Sequence, residues 1–156
     1  MAKKMTEIPK EVMEHLRGAN VVLVATMSDE SQLALELLSW IWPMDAKTVR
    51  LVISPNFPGG INLAANGKTA LQVIGDNLCY EVRGTSHLVK EQCDSVKFPE
   101  TMYDMAVEEV RTNTIPASHP SGSIPLIRDE GTEDLHKELD AAMYEEIKST
   151  PMLTTT

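Results

Sequence analysis

The sequence has little cysteine, few aromatic residues and no long apolar run. It contains two cysteines, and only 4% of its 156 residues are Phe, Trp or Tyr. Cys79 and Cys93 lack the spacing of a CxxC motif, which favours two free thiols in a reducing cytosol over a disulfide. No stretch approaches the roughly 20 apolar residues of a membrane span, and the first residues lack the apolar core of a secretion signal. We therefore expect a cytoplasmic protein without membrane contact.

Basic residues are also scarce. The chain has 14 Lys and Arg against 23 Asp and Glu, and its formal net charge is −9. This excess of negative charge repels phosphate backbones and anionic lipid surfaces, so nucleic acid and membranes are not expected partners. An anionic cofactor would need a local site that overcomes the global repulsion.

Motifs for metal binding and for common catalytic mechanisms are absent. There is no GxSxG elbow, no Walker motif and no GxGxxG motif. No residue stands out as a general acid or base, so the catalytic residues stay unknown. This absence is compatible with cofactor chemistry, in which the protein mainly positions the cofactor. No metal site is expected, because no HxH or HExxH spacing connects the four histidines His15, His87, His119 and His136.

The apolar pattern of the first two thirds is that of a β-protein. Apolar residues make up 42% of the chain and charged residues 24%, which is typical of a single domain with its own core. Turns are expected at 43–47 and 75–77, and a bend at Gly84. Hairpins at such short spacing predict a closed or nearly closed antiparallel barrel. The expected elements, in chain order, are a helix over 8–18, strands over 21–27, 33–42 and 48–54, an irregular Pro/Gly segment over 55–60, a helix over 61–67, and strands over 68–74 and 78–91.

The C-terminal third is harder to assign. The apolar spacing of residues 102–112 fits a helix better than a strand. Residues 113–131 carry three prolines and are interpreted as an extended connection. Thr132 is expected to cap a helix over 132–148, and residues 149–156 are expected to form a loose tail.

Several short motifs resemble the flavin-binding split barrels related to pyridoxamine 5′-phosphate oxidase. The resemblance covers Ile8 to Arg111. It implies a mainly β, α+β antiparallel split barrel over 8–112, a homodimer, and FMN bound in a groove at the dimer interface. It also implies that Asp104 to Thr112 is a strand rather than a helix. The motifs are Ser39-Trp40, Ser54 at a strand end, Asn62-Leu63 at a helix start, the run Asn66–Leu71, Val73, and the run Glu81–Thr85.

The resemblance also shows what this chain lacks. Family members usually hold the FMN phosphate with an arginine of the second strand and with a lysine three residues before the Asn-Leu pair. Here the arginine position is Ala34 or a neighbour, none of them basic, and the lysine position is Gly59. Only Lys68 remains as a cation nearby. The basic phosphate clamp is largely absent.

Two interpretations of this absence stay open. In the first, backbone N–H groups of Gly59, Gly60 and Ile61 hold the phosphate at a helix start. Neutral hydrogen bonds and an aromatic wall would then come from Ser54, Asn56, Asn62 and from Trp40 or Trp42. In the second, the Pro-Gly-Gly segment is only a turn and the tryptophans pack in the core or at the dimer interface.

Arg83 and Arg50 are further charged residues of the predicted barrel strands. Arg83 either forms a salt bridge at an interface or contacts the cofactor from the partner subunit. Arg50 is interpreted as a solvated or bridging charge.

The predicted function is therefore that of an FMN-binding homodimer, a flavin-dependent oxidoreductase of unknown small-molecule substrate and electron donor. Pyridoxamine phosphate is not expected as substrate, because basic residues for a second phosphate are missing. The alternative is a split barrel that has lost flavin and serves as a binding or structural module for a less anionic ligand. The predicted cofactor-binding residues are Ser39, Trp40, Ser54, Asn56, Gly59, Gly60, Asn62, Lys68 and Arg83.

Overall fold

The structure is a computed structural model, and it describes residues 4–153. Eight strands form one antiparallel sheet in the order β3-β2-β6-β7-β8-β5-β4, with β1 pairing to β8. The sheet curls into a half-barrel with three helices, which confirms the predicted split-barrel fold class. The strands are β1 (Lys4–Met5), β2 (Val22–Met27), β3 (Leu33–Leu38), β4 (Ile41–Asp45), β5 (Thr48–Ile53), β6 (Lys68–Gly75), β7 (Leu78–Lys90) and β8 (Thr101–Thr112), and the helices are α1 (Lys10–Leu16), α2 (Pro58–Ala65) and α3 (Glu133–Ser149).

Two apolar cores lie on opposite faces of β5. Successive side chains of a strand point to opposite faces, so Leu51 belongs to the barrel interior and Val52 to a second core under α3. The barrel interior also holds Val12 and Leu16 of α1. The second core holds Cys93, Val96, Met102, Met143 and Ile147. Because β5 is buried on both sides, α3 is fixed directly to the barrel wall.

The predicted strand over 33–42 is wrong in its bounds. β3 ends at Leu38, the chain bends at Ser39 and Trp40, and β4 begins at Ile41. Pro43, which was expected in a turn, lies inside β4. A proline is tolerated there because β4 is an edge strand of the sheet and, within residues 4–153, pairs with β5 alone.

The predicted irregular segment over 55–60 is also partly wrong. α2 begins at Pro58 rather than at Ile61, with the proline in its first turn, where its missing N–H costs no hydrogen bond. Gly59 and Gly60 are therefore helical and buried. The predicted end of the helix is confirmed at Gly67, whose φ of 73° is the left-handed conformation of a helix C-terminus.

Residues 102–112 form a strand, so the helical prediction from their spacing is wrong and the resemblance was right. β8 lies in the middle of the sheet between β7 and β5. Its residues from Thr101 to Met105 are buried on both faces. The alternation typical of a strand is hidden by this burial, because both faces carry apolar side chains.

The hairpin and bend of the central strands are confirmed. Asp76 and Asn77 connect β6 to β7, with Asn77 at a φ of 52°. The register of β7 against β8 shifts between Arg83 and Gly84, which is the predicted bend. A Cβ on Gly84 would lie 2.0 Å from the carbonyl oxygen of Ala106, so this position requires glycine.

The C-terminal part is more ordered than expected at one point. α3 begins directly after Thr132, although the Thr132 hydroxyl donates to the carbonyl of Asp129 and caps no helical N–H. The carbonyls of Thr150 and Pro151 accept hydrogen bonds from Arg50, so the start of the predicted loose tail is held in place. No helix in residues 4–153 is long and apolar enough to cross a membrane.

Candidate functional site

A groove of about 230 Å³ lies between β3, the end of β5 and α3. Its walls include the aromatic rings of Trp40, Phe57 and Phe98. We call it the groove. Its charged and titratable side chains are Glu36, Glu100, Arg128, His136 and Asp140.

The N-terminal end of α2 carries a carboxylate. The N–H of Gly59 donates to Oε1 of Glu36 at 2.9 Å. A Cβ on Gly59 would lie 2.0 Å from Oε2 of Glu36, so the carboxylate rests against the glycine. A helix start attracts anions through its free N–H groups and its dipole. Glu36 of the second hairpin strand therefore occupies the anion position that the sequence predicted for a phosphate.

Gly60 lies where α2 packs closely against the end of β5. Its φ is not positive, whereas those of Gly67 and Gly131 are. A Cβ on Gly60 would lie 2.0 Å from the carbonyl oxygen of Ser54. Gly60 thus permits the tight connection between β5 and α2, and a larger residue there would disturb the fold.

Ser39 and Trp40 dock α3 onto the barrel. Nε1 of Trp40 donates to Oδ1 of Asp140 at 2.7 Å, and the Tyr144 hydroxyl donates to the carbonyl of Ser39. The Trp40 ring stacks on Phe98 with centroids 6.3 Å apart. Trp40 still forms a wall of the groove, whereas its polar N–H is already satisfied within the protein.

The neutral polar residues predicted for the site serve local structure. Oγ of Ser54 accepts the N–H of Asn56 at 3.3 Å, and Asn56 is exposed. Asn62 is buried and donates to Oγ1 of Thr26 at 3.0 Å, which holds α2 to β2. Of these three residues, only Ser54 lines the groove.

Lys68 and Arg83 lie away from the groove. They line a separate cavity of about 560 Å³ on the outer face of β2, β6 and β7. Arg83 forms salt bridges with Glu81 at 2.8 Å and Glu109 at 3.1 Å, both within the chain. The predicted site residues thus do not come together in one cavity: three line the groove, two line the separate cavity, and Asn56, Gly59, Gly60 and Asn62 line neither.

The sequence interpretation missed the charged side chains of the groove. Asp140 is satisfied, because Trp40 and Arg128 both donate to it. Glu100 is not, and burial raises its pKa to about 7. Oε2 of Glu36 is buried without a hydrogen-bond partner in the described part of the chain. The one available signal was Glu36 itself, a charge that interrupts the leucine-rich strand. Residues 4–153 contain no cluster of three or more His, Cys, Asp or Glu that could hold a metal ion.

The edge strand β3 exposes an apolar surface. We call Leu33, Leu35 and Leu37 the leucine face; they are 78%, 69% and 54% exposed. They alternate with less exposed residues and so point to one side of the sheet. Leu37 also lines the groove, so the leucine face and the groove adjoin.

Three solved structures are similar to this chain in fold. A proposed pyridoxamine 5′-phosphate oxidase from Lactobacillus delbrueckii is 19% identical, with a TM-score of 0.57 over 68% of this chain and 94% of that one. The heme storage protein HutZ from Vibrio cholerae is 10% identical, with a TM-score of 0.54 over 67% of this chain and 94% of that one. An FMN-binding protein from Syntrophomonas wolfei is 12% identical, with a TM-score of 0.50 over 76% of this chain and 90% of that one.

At these identities the likeness concerns the fold alone, and it confirms the resemblance to the pyridoxamine 5′-phosphate oxidase-like split barrels at that level. No protein-family model and no curated protein matches the chain.

Proposed function

We propose that the protein is a split-barrel homodimer that binds a planar aromatic ligand without a phosphate group in the groove. This is the alternative of the sequence analysis, a binding module for a less anionic ligand than FMN. The contact between the Glu36 carboxylate and the N–H of Gly59 carries the proposal, because it places a negative charge where a flavin phosphate would have to bind.

Electrostatics argue against a phosphate beside Glu36. Two like unit charges 4 Å apart repel by about 1 kcal/mol in water and by about 4 kcal/mol near a protein surface, and a phosphate carries more than one charge. Arg128 is the arginine that lines the groove, and it donates to Asp140. The described lining of the groove thus offers no lysine and no unpaired arginine to offset the repulsion.

The aromatic walls favour a flat ligand. Trp40, Phe57 and Phe98 present ring surface to the groove. The volume of about 230 Å³ lies below the ~300–1,000 Å³ of typical sites for drug-sized ligands. One protomer therefore accommodates a small ring system, and a larger ligand needs an additional wall from a second copy.

A second copy would cover the leucine face. Full burial of a leucine side chain contributes about 1.5–3 kcal/mol, and an isologous contact places the same face on both subunits. Because Leu37 borders the groove, such a dimer would also complete the site. Light scattering should give twice the chain mass at micromolar concentration, and Leu35→Glu should give the monomer; a monomeric wild type would contradict the dimer.

FMN remains the second candidate, with oxidoreductase activity on a small-molecule substrate in the cytoplasm. It is favoured by the similar fold of an FMN-binding protein and by the N–H of Gly59, which faces an anion. Binding FMN there would require Glu36 to leave that N–H, so the residues present do not fit the phosphate as they stand.

Riboflavin and FMN distinguish the two candidates, because they share one ring system and differ by the phosphate. Titration followed by flavin fluorescence should show riboflavin binding at least about tenfold more tightly than FMN. Heme serves as a third probe, because a protein of similar fold is a heme storage protein. FMN binding tenfold more tightly than riboflavin would contradict our proposal, and no binding of any probe would contradict a planar ligand.

A double variant should reverse the preference. Glu36→Ser combined with Gly59→Lys removes the carboxylate and adds a cation beside the helix start. Serine at position 36 also removes the clash at 2.0 Å, and the other close atom, Cδ1 of Ile53 at 2.9 Å, is the end of a flexible side chain. FMN should then bind more tightly than riboflavin, whereas the matched control Glu145→Ser on the exposed face of α3 should behave as wild type.

A further inference from the structure

The groove contains a carboxyl group that nothing in the described part of the chain satisfies. Asp140 accepts from Trp40 and Arg128, and Glu36 accepts from Gly59. Glu100 lines the same groove and is half-buried, and no hydrogen bond or salt bridge within residues 4–153 involves its carboxyl group.

The backbone of Glu100 is fixed, so its side chain stays at the groove. The Glu100 carbonyl accepts the N–H of Cys93 at 2.9 Å, which closes the loop before β8. The hydroxyl of the next residue, Thr101, donates to the carbonyl of Glu91 at 2.9 Å. Phe98, two residues earlier, stacks on Trp40. The carboxyl therefore lies on a braced loop that also carries an aromatic wall.

A half-buried carboxylate without a protein partner has lost part of its hydration, and a ligand can supply the missing hydrogen bonds. An amine or amidine offers a positive charge and N–H donors to the carboxylate, and hydrogen bonds between charged groups are about twice as strong as neutral ones. Faces of tryptophan and phenylalanine attract cations as well. The carboxylate and the aromatic rings therefore both favour a positively charged ligand.

We propose that the groove binds a cationic aromatic ligand, an amine or amidine, whose charged nitrogen is held by the Glu100 carboxylate beside the Trp40 and Phe98 rings. This inference rests on the proposed function, since it names the chemical class of the ligand of that site. Partial burial also raises the pKa of Glu100 to about 7.

Three probes of nearly the same shape test the charge. Benzamidine is a cation, benzamide is neutral and benzoate is an anion. Binding is followed at pH 8 by NMR on the indole N–H of Trp40, which lies in the groove, with the indole of Trp42 outside it as the internal reference. In the wild type, benzamidine should bind at least about tenfold more tightly than benzamide, and benzoate most weakly.

Glu100→Gln isolates the carboxylate. The glutamine keeps the shape, and replacing a buried charge by a neutral group should not unfold the protein, which a thermal melt checks. Benzamidine and benzamide should then bind within about twofold of each other. Glu145→Gln removes the same charge from the exposed face of α3 and should keep the wild-type ratio.

A wild-type ratio near one, or a ratio that Glu100→Gln leaves unchanged, would overturn the inference. If riboflavin binds while the three probes show no charge preference, this inference fails and the proposed function stands. If neither riboflavin nor the probes bind, both fail together.

Discussion

Glu146 and Glu36 both accept backbone N–H groups, and the surroundings of these two glutamates differ sharply. Glu146 of α3 accepts the N–H of Asp94 at 2.9 Å, the N–H of Ser95 at 2.7 Å and Nζ of Lys90 at 2.9 Å. Glu36 of β3 accepts one N–H, that of Gly59, and its second oxygen has no partner among residues 4–153. The first carboxylate is an anchor of the fold, and the second leaves binding capacity at the groove.

The same contrast extends to the two regions around them. At the C-terminal end of α3, which we call the foot of α3, Arg50 contacts both oxygens of Asp104 at 2.7 and 2.9 Å and donates to the carbonyls of Ile147, Thr150 and Pro151. Every polar group of that guanidinium is used. The groove instead keeps Glu100 and half of Glu36 unsatisfied. Satisfied buried groups stabilise a fold, whereas unsatisfied ones at a cavity are available to a ligand.

The largest effect is expected from Arg50→Met. This change leaves Asp104 and three carbonyls without their donor, and removal of one partner of a buried ion pair costs about 3–5 kcal/mol. Urea denaturation of the full chain measures the free energy of unfolding. Arg83→Met is the matched control, because the Arg83 side chain is 49% exposed and surface ion pairs contribute about 0–1 kcal/mol. Similar losses in both variants would contradict the special role of the foot of α3.

Arg50 also shows what the sequence could and could not predict. The alternation of β5 places Arg50 on the face opposite Val49 and Leu51, which predicts a solvated or bridging charge. The bridge to Asp104 is present, but the side chain is buried rather than solvated. A second core under α3 covers that face, and the direct pairing of Arg50 with Asp104 depends on the adjacency of β5 and β8. Both the second core and the pairing of β5 with β8 bring together residues that are distant in the sequence. Most elements from α1 to β7 follow from local patterns, although the predicted strand over 33–42 is divided into β3 and β4. The spacing of β8 misleads because burial on both faces hides its alternation.

The site was predicted less well for a related reason. The missing lysine at Gly59 could be read directly from the sequence, and so could the backbone N–H groups that a helix start offers to an anion. The sequence could not show that Glu36 supplies this anion, because the contact between Glu36 and Gly59 joins residues 23 positions apart. The groove depends further on α3, which lies outside the region that resembles the split barrels.

The second prediction compares the two glutamates through pH. Burial alone would raise the pKa of Glu146, but hydrogen bonds from Ser95, Lys90 and Asp94 outweigh it and lower the pKa from 4.5 to about 2. The contribution to stability is therefore present above pH 4.5 and is lost as the pH falls towards 2. The shift corresponds to about 3 kcal/mol.

Glu146→Gln should remove most of this acid sensitivity and lower the stability at pH 7, as urea denaturation between pH 2 and pH 7 would measure. Glu36→Gln is the matched change at the groove and should cost less than about 1 kcal/mol, since one hydrogen bond at a helix start is affected. A larger loss for Glu36→Gln than for Glu146→Gln would reverse our assignment of anchor and site.

The smallest effect is expected from Glu100, and it has the opposite sign. Burial raises its pKa from 4.5 to about 7, so the folded protein holds this proton more tightly than the unfolded chain does. Its contribution to stability is present below pH 4.5 and is lost as the pH rises towards 7.

The experiment compares the wild type with Glu100→Gln alone. This comparison keeps the other titratable and charged groups of the groove constant, namely Glu36, Arg128, His136 and Asp140. The variant should gain stability relative to the wild type between pH 5 and pH 8, by less than the Glu146 effect because the groove is open to solvent. Thermal melts across this range would measure the difference, and adding benzamidine at pH 8 should shrink it, since a bound cation stabilises the ionised carboxylate. A difference that does not change with pH would mean that Glu100 is already paired, and the groove would then be as fully satisfied as the foot of α3.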